Sequence, residues 1–279
     1  MGLIRKTKDI LIKGLNKIPF FEKPLPKNPF GIKPWANKNT YLDLYNQVLE
    51  LDDSKVLKFE KDNGFSIDLP WINELALRTQ VVVKTEPLNY FHGRLLYSEL
   101  SKYIKNYHKD NKKSIFILET GTARGFSSIC MSKALNDQNV QGLITTVDCI
   151  SHNEKILWNC IIDSEGPCSR GELLNKWPNE LRNILFLQGW TNSFLNKIGC
   201  GRINFAFLDA QHTKEDVLRE YHYVASRQFK GDVIVFDDVT PNKFDGVCAA
   251  VDYIKHKGDY SVREFSFSCD RGYAIASKL

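Results

Sequence analysis

From Gly93 onward the hydrophobic pattern alternates between two periods. GRLLYSELSKYIKNYH places Leu95, Leu96, Leu100, Tyr103, Ile104 and Tyr107 on one face of a helix. SIFILE, LITTVD, ILFLQG, INFAFLD and DVIVFDD are short, nearly continuous apolar runs that read as strands. FSSICMSKAL and KEDVLREYHYVASRQF read as the helices between them. Strands that are apolar on both faces and separated by helices predict a parallel sheet covered on both sides. The end of the chain departs from this pattern. GVCAAVDYIKHK predicts a helix, and YSVREFSFS and YAIASK predict two strands joined by the turn CDRG.

The expected fold is α/β. It is a Rossmann-like, doubly wound seven-stranded sheet, mostly parallel with an antiparallel C-terminal edge hairpin, plus a small N-terminal helical cap and arm. Residues 1–40 carry Pro19, Pro24, Pro26, Pro29 and Pro34 among basic side chains and read as an extended arm that packs on a neighbour or stays mobile. Residues 41–88 hold one convincing helix, YLDLYNQVLEL, and a second apolar patch, LPWINELAL, and read as a cap with no chemistry of its own. Residues 89–279 form the main domain. The chain shows no internal repeat and no low-complexity segment.

Composition narrows the function classes. With 279 residues, 43% of them hydrophobic, the chain can bury a substantial core. The formal net charge of +5 comes largely from Arg5, Lys6, Lys8, Lys13, Lys17, Lys23, Lys27, Lys33 and Lys38. Scattered lysines of this kind are ordinarily solvated, so nucleic acid is not an expected partner. Cys130, Cys149, Cys160, Cys168, Cys200, Cys248 and Cys269 are odd in number, contain no CxxC pair and read as free thiols of a reducing cytoplasm. No run reaches the length of a membrane span, and the start lacks the apolar core of a signal peptide. MGLIRKT approaches a myristoylation site but carries Lys6 where Ser or Thr is needed.

Candidate chemistry begins where SIFILE runs into ETGTARGFSS. Glycines at a strand-to-helix turn let backbone approach a ligand, and the helix N-terminus offers free N–H groups to a carboxylate or phosphate. The next strand ends in Asp148, 23 residues after Gly125, where a carboxylate can accept hydrogen bonds from ribose hydroxyls. The turn is one glycine short of the GxGxxG dinucleotide fingerprint, which argues against NAD. ETGTARGFSS resembles the E-x-G-T-x-x-G-[YF]-S loop of class I S-adenosylmethionine-dependent O-methyltransferases of the catechol and macrocin types. The resemblance covers roughly residues 90–279. It implies S-adenosylmethionine as cofactor, contacted by Glu119, Gly121, Thr122, Gly125 and Ser127. It also implies Asp148 on the ribose, Gly189, Trp190 and Thr191 near the adenine, and Asp209 beside them.

Asp209 ends one apolar run, and Asp237 and Asp238 end the next. Neighbouring parallel strands share their carboxyl edge, so three carboxylates converge where ligands sit in such sheets. Left unpaired they would repel, and a cation is the simplest remedy; an all-oxygen set suits Mg²⁺, Mn²⁺ or Ca²⁺. The resemblance supports the same ligands, since the metal-dependent members place acids at these positions. Three residues after the first acid, the catechol type carries a Lys base and the macrocin type a His, and this chain carries His212. Imidazole titrates near neutrality and suits a general base. Asp209 and His212 are therefore the catalytic candidates. The chain departs from the macrocin type at Ala210-Gln211, usually a small-polar pair, and at Trp190, which is bulkier than usual.

Bland roles compete. Asp209 could cap KEDVLREYHY, Asp237 or Asp238 could cap the turn before Pro241, and Glu215 and Asp216 suit the first turn of a helix. His92, His108, His152, His222 and His256 lack the context of His212. The long segment between Cys149 and Trp177, with two helical stretches interrupted by Gly166, Pro167 and Gly171, is a candidate lid in which Trp158 and Trp177 read as core.

The expected activity is O-methylation of a small hydroxylated acceptor, a sugar unit or a catechol-like phenol, in the cytoplasm, with a homo-oligomer left open. The rivals are a metal-independent methyltransferase of the same fold, a non-catalytic cofactor-binding scaffold and, least favoured, a nicotinamide dehydrogenase.

Overall fold

The structure is a computed structural model that describes residues 24–107, 114–267 and 271–279. His108, Cys269 and Asp270 of the CDRG turn, and the arm residues Arg5, Lys6, Lys8, Lys13, Lys17, Pro19 and Lys23 lie outside the described residues. Seven strands form one sheet: β1 (Ile115–Thr120), β2 (Gly142–Asp148), β3 (Ile184–Gln188), β4 (Phe205–Leu208), β5 (Val233–Phe236), β6 (Tyr260–Ser266) and β7 (Gly272–Lys278). Their order is β3-β2-β1-β4-β5-β7-β6. β1 to β5 run parallel, while β7 lies antiparallel to both β5 and β6. The sequence-based expectation of a mostly parallel sheet with an antiparallel C-terminal hairpin is met.

The continuous apolar runs are explained by which side each residue faces. Ile117, Phe205, Phe207 and Val235 point into one core, with Leu95, Leu96, Leu100, Phe126, Ile129 and Met131 of helices α4 (Phe91–Tyr107) and α5 (Phe126–Asp137). Their strand neighbours Leu118, Ala206, Leu208, Ile234 and Phe236 point into the other, with Val217, Tyr221, Val247 and Ile254 of α9 (Lys214–Ala225) and α10 (Asp245–Lys257). Both faces of every central strand are thus consumed, as a period of two in a doubly covered sheet requires.

The cap contains α1 (Lys38–Leu49), α2 (Ser54–Asn63) and α3 (Leu69–Thr79). Helix α2 is not among the expected elements. It is tied to α4 by a buried ion pair in which Arg94 donates two hydrogen bonds to Glu60, at 2.9 and 2.6 Å. Ahead of the cap, Phe30 packs on Trp158 and lies under Arg124, so this part of the arm is pinned to the main domain. The long segment after β2 forms no extended helices. It holds a 3₁₀ turn (Ile161–Glu165) and the short helices α6 (Arg170–Leu173) and α7 (Pro178–Leu181), packed around the fully buried Trp158. Trp177 is buried as well, against Trp71 of the cap. The one-turn helix α8 (Thr191–Phe194) follows β3.

Candidate active site

Because β1, β4 and β5 are parallel neighbours, Thr120, Leu208 and Phe236 end level with one another. Gly121, Asp209 and Asp237 therefore emerge on one edge. Gly121 has φ +87°, and a Cβ there would collide with the Asp209 carbonyl oxygen, so the turn needs glycine both for its conformation and for the close crossing. Gly125, at φ +88°, turns the chain into α5 and leaves the first N–H groups of that helix facing the edge.

Beneath the turn lies a buried polar cluster. Glu119 accepts hydrogen bonds from the hydroxyls of both Ser127 and Ser128, and Thr122 and Thr146 share one at 2.5 Å. Burial pushes the Glu119 carboxyl upward despite those donors. The Ser127 hydroxyl is thus committed to Glu119, and what remains for an anionic ligand is the helix backbone. Asp148 accepts from the Ala123 N–H and from the Ile150 N–H, each at 2.6 Å, which locks the glycine turn to the loop after β2. Arg170 stitches the same two loops by donating to the Ala123 and Ile150 carbonyls at 2.8 and 3.2 Å. Gly189 donates its N–H to the Asp148 carbonyl, and a Cβ on it would strike the Phe194 ring, so Trp190 enters α8 at a fixed place along this edge.

The acidic edge is arranged differently from the expected trio. The groups whose ligand atoms lie within 4.8 Å of one another are Asp209, His212 and Asp238. Asp237 is turned away, fully buried and gripped by Arg271 through two hydrogen bonds, with Nε at 2.9 Å from Oδ1 and Nη2 on Oδ2. Asp238 sits at φ +57°, a left-handed conformation uncommon for a residue with a side chain. That backbone lets its carboxylate reach His212 Nε2 at 3.0 Å. The capping alternative fails for Asp209, because Thr213 caps α9 by accepting from the Asp216 N–H.

Electrostatics follow from this geometry. Burial raises the Asp209 carboxyl well above the usual carboxylate range, and the neighbouring Asp237 adds to the effect. Burial also raises Asp237, in spite of Arg271. Asp238 is held low against its own burial by the His212 hydrogen bond and the Arg271 charge. The hydrogen bond to Asp238 raises the His212 imidazole. The His212 side chain is 46% exposed, and its ring leans on Phe244 at 4.8 Å. A mixed set of two carboxylates and an imidazole fits Mn²⁺ or another first-row ion better than Mg²⁺ or Ca²⁺, which favour oxygen alone.

Arg170 and Arg271 are functional candidates that sequence reasoning missed. A family model described as a methyltransferase domain matches residues 118–239, which run from the end of β1 through the acidic tip of β5. These residues are similar to a methyltransferase domain. Among solved structures, the O-methyltransferase TomG of Streptomyces achromogenes, crystallised with SAM, is 17% identical over 77% of this chain and 92% of its own, with a TM-score of 0.51. An O-methyltransferase of Bacillus cereus in complex with SAH is 16% identical over 86% of this chain and all of its own, 100%, with a TM-score of 0.50. Both are likenesses of fold. No curated protein matches the sequence.

Within the matched residues one further acid stands out. Glu220 of α9 is 2% exposed, accepts a hydrogen bond from the Thr120 hydroxyl at 2.7 Å, and leaves its other oxygen buried without a partner among the described residues. Burial pushes its carboxyl from 4.5 up to about 7. A raised acid keeps its proton longer in the folded state, so its contribution is intact below pH 4.5 and lost as pH rises through about 7. That loss amounts to roughly 3 kcal/mol. Urea melts of Glu220→Gln should show a variant more stable than wild type at pH 8, with the gap closing near pH 4.5. An equal difference at both pH values would contradict the assignment.

Proposed function

We propose that the chain is an O-methyltransferase that uses S-adenosylmethionine to methylate a hydroxyl of a small acceptor, with sugars and catechol-like phenols as the candidate classes. The observation that carries this is the convergence of Asp209, His212 and Asp238 on the same strand edge as the glycine turn. When bound, the cofactor supplies a methyl group on a sulfonium, which leaves as S-adenosylhomocysteine when an oxygen lone pair takes the methyl carbon. Its fit is supported by the Gly121 crossing, by the α5 N-terminus for a carboxylate, and by Asp148, whose oxygens each accept one bond and have capacity for ribose hydroxyls.

His212 is the base. Asp238 holds Nε2, which orients the ring and stabilises its protonated form, and leaves Nδ1 to take the acceptor proton. Asp209, its carboxyl raised by burial, lies beside the same group, and the charges of Asp238 and Asp237 steady the imidazolium. A divalent cation held by the Asp209 and Asp238 carboxylates would acidify the acceptor hydroxyl and leave His212 free to act as the base. Asp237 serves the edge by fixing Arg271 rather than by ligation. A second reading, catalysis without a cation, is favoured by the pairing already in place: His212 with Asp238 and Arg271 with Asp237 leave Asp209 with no ion pair among the described residues. The six free thiols among the described residues suit a cytoplasmic protein, and no helix among those residues is long and apolar enough to cross a membrane.

Calorimetric titration of S-adenosylmethionine, with Mn²⁺ or Mg²⁺ and again with EDTA, tests both readings. Cofactor binding is the expected result, with a separate cation signal that Asp238→Ala abolishes. Binding of the cofactor without a cation signal would decide for the metal-free enzyme. Absence of cofactor binding would refute the proposal.

A further inference from the structure

A cavity of about 410 Å³ opens beside Asp238, within the ordinary size range of small-molecule sites. One wall is the loop between α3 and α4, with Lys84, Glu86 and Asn89; the other is the loop between β5 and α10, with Lys243, and Arg271 closes the back. The cap, expected to carry no chemistry, therefore supplies half of the space in front of the reaction edge.

The charges in this space do not cancel locally. Arg271 is engaged by Asp237 and, at 3.6 Å, by Asp238, and Asp238 is engaged by His212. Lys84 and Lys243 make no ion pair among the described residues. Burial, Arg271 and Lys243 all weigh against the Lys84 ammonium, while Glu86 and Asp238 favour it. Glu86 stands at the rim, its carboxyl held low by hydrogen bonds within its own turn. A single exposed lysine is ordinary. Two unpaired lysines that meet an arginine in one cavity, next to the proposed base, form a seat for negative charge.

We propose that the acceptor is anionic: it carries a carboxylate or phosphate that Lys84 and Lys243 bind while its hydroxyl reaches His212. This rests on the methyltransferase reading of the edge and adds to it the class of substrate. An acidic sugar, a sugar phosphate or a phenolic acid meets the requirement, whereas a neutral glycoside leaves the two lysines with only Glu86 at the rim to offset them.

The test is binding of matched probes to the protein loaded with S-adenosylhomocysteine. Catechol is compared with 3,4-dihydroxybenzoate, and glucose with glucose 6-phosphate, by calorimetry or ligand-observed NMR. The charged member of at least one pair is expected to bind about tenfold tighter or better, the effect of one charge-assisted contact. Which pair responds separates carboxylate from phosphate. The Lys84→Gln/Lys243→Gln variant should bring that ratio close to one, while Lys58→Gln, on the exposed face of α2, should leave it unchanged. No advantage for either charged probe, absence of binding by all four, or an advantage that survives in the double variant would overturn the anionic acceptor. Those results with S-adenosylhomocysteine still bound leave the methyltransferase reading standing, and failure to bind S-adenosylhomocysteine removes that reading instead.

Discussion

His212→Ala is expected to lower kcat by a factor of about 10²–10⁴, the usual contribution of a positioned general base, with the affinity for S-adenosylmethionine unchanged. The expectation follows from what surrounds the ring. Its Nε2 is held by Asp238, and nearly half of the side chain is open to solvent. No other described histidine is placed to replace it. His92 is buried between Phe126 and Phe207, where burial drives its imidazole well below the usual range. His152 is stacked on Phe186 and its carbonyl accepts from the Arg170 N–H, and His256 is turned onto the Asp252 carbonyl on α10. Because the His212 side chain is nearly half exposed and sits in a loop after β4, truncating it should leave the melting temperature almost unmoved, as for most surface substitutions. A large drop in kcat with a wild-type melting curve is therefore the signature to look for, measured by methyl transfer in saturating acceptor. Turnover within twofold of wild type would remove the base assignment.

How far this site could be read in the sequence depends on the distance over which each feature is encoded. Strands β4 and β5 were legible because burial on both faces makes them apolar at every position, and β1 to β3 because most of their positions are apolar, while the meeting of Asp209 with the Asp237-Asp238 pair followed from their places just beyond adjacent parallel strands. Which of the two consecutive acids would face His212 was not legible. Successive residues leaving a strand point to opposite sides, and the choice is made by the left-handed turn at Asp238. Helix α2 escaped notice because SKVLKFEKDN is largely charged and offers only Val56, Leu57 and Phe59 as apolar positions. Its place is set by the buried Arg94–Glu60 pair, a contact 34 residues apart. The two helical stretches expected after Asp148 collapsed into short turns, where Gly166, Pro167 and Pro178 interrupt the backbone. Arg271 was invisible for a topological reason. It precedes β7, and only the insertion of β7 antiparallel to β5 brings that residue to the carboxyl edge beside Asp237. Had the hairpin been placed against β5 rather than simply at an edge, the arginine of the CDRG turn would have been the natural partner for an acid at the tip.

Arg271→Met is expected to destabilise the protein by about 3–5 kcal/mol, the cost of leaving one member of a buried ion pair behind. Asp237 has no exposed side-chain surface, and its neighbours at the edge, Asp209 and Asp238, are also acids. Without the guanidinium, three carboxylates would share a poorly solvated corner, so at neutral pH the folded state would have to bind a proton or loosen. The remedy distinguishes this cause from a simple packing defect. In Asp237→Asn/Arg271→Met the buried charge disappears together with its partner, and replacing both members of such a pair is commonly near neutral. The double variant should therefore recover most of the stability lost by the single one. Chemical denaturation of the wild type, both single variants and the double variant closes the cycle, with an expected coupling of a few kcal/mol for groups in direct contact. Additive losses would mean that Arg271 acts by filling space at the end of β7 and that Asp237 is satisfied some other way. Strong coupling would establish that the edge spends one acid on holding Arg271, which leaves Asp209 and Asp238 as the pair that flanks His212.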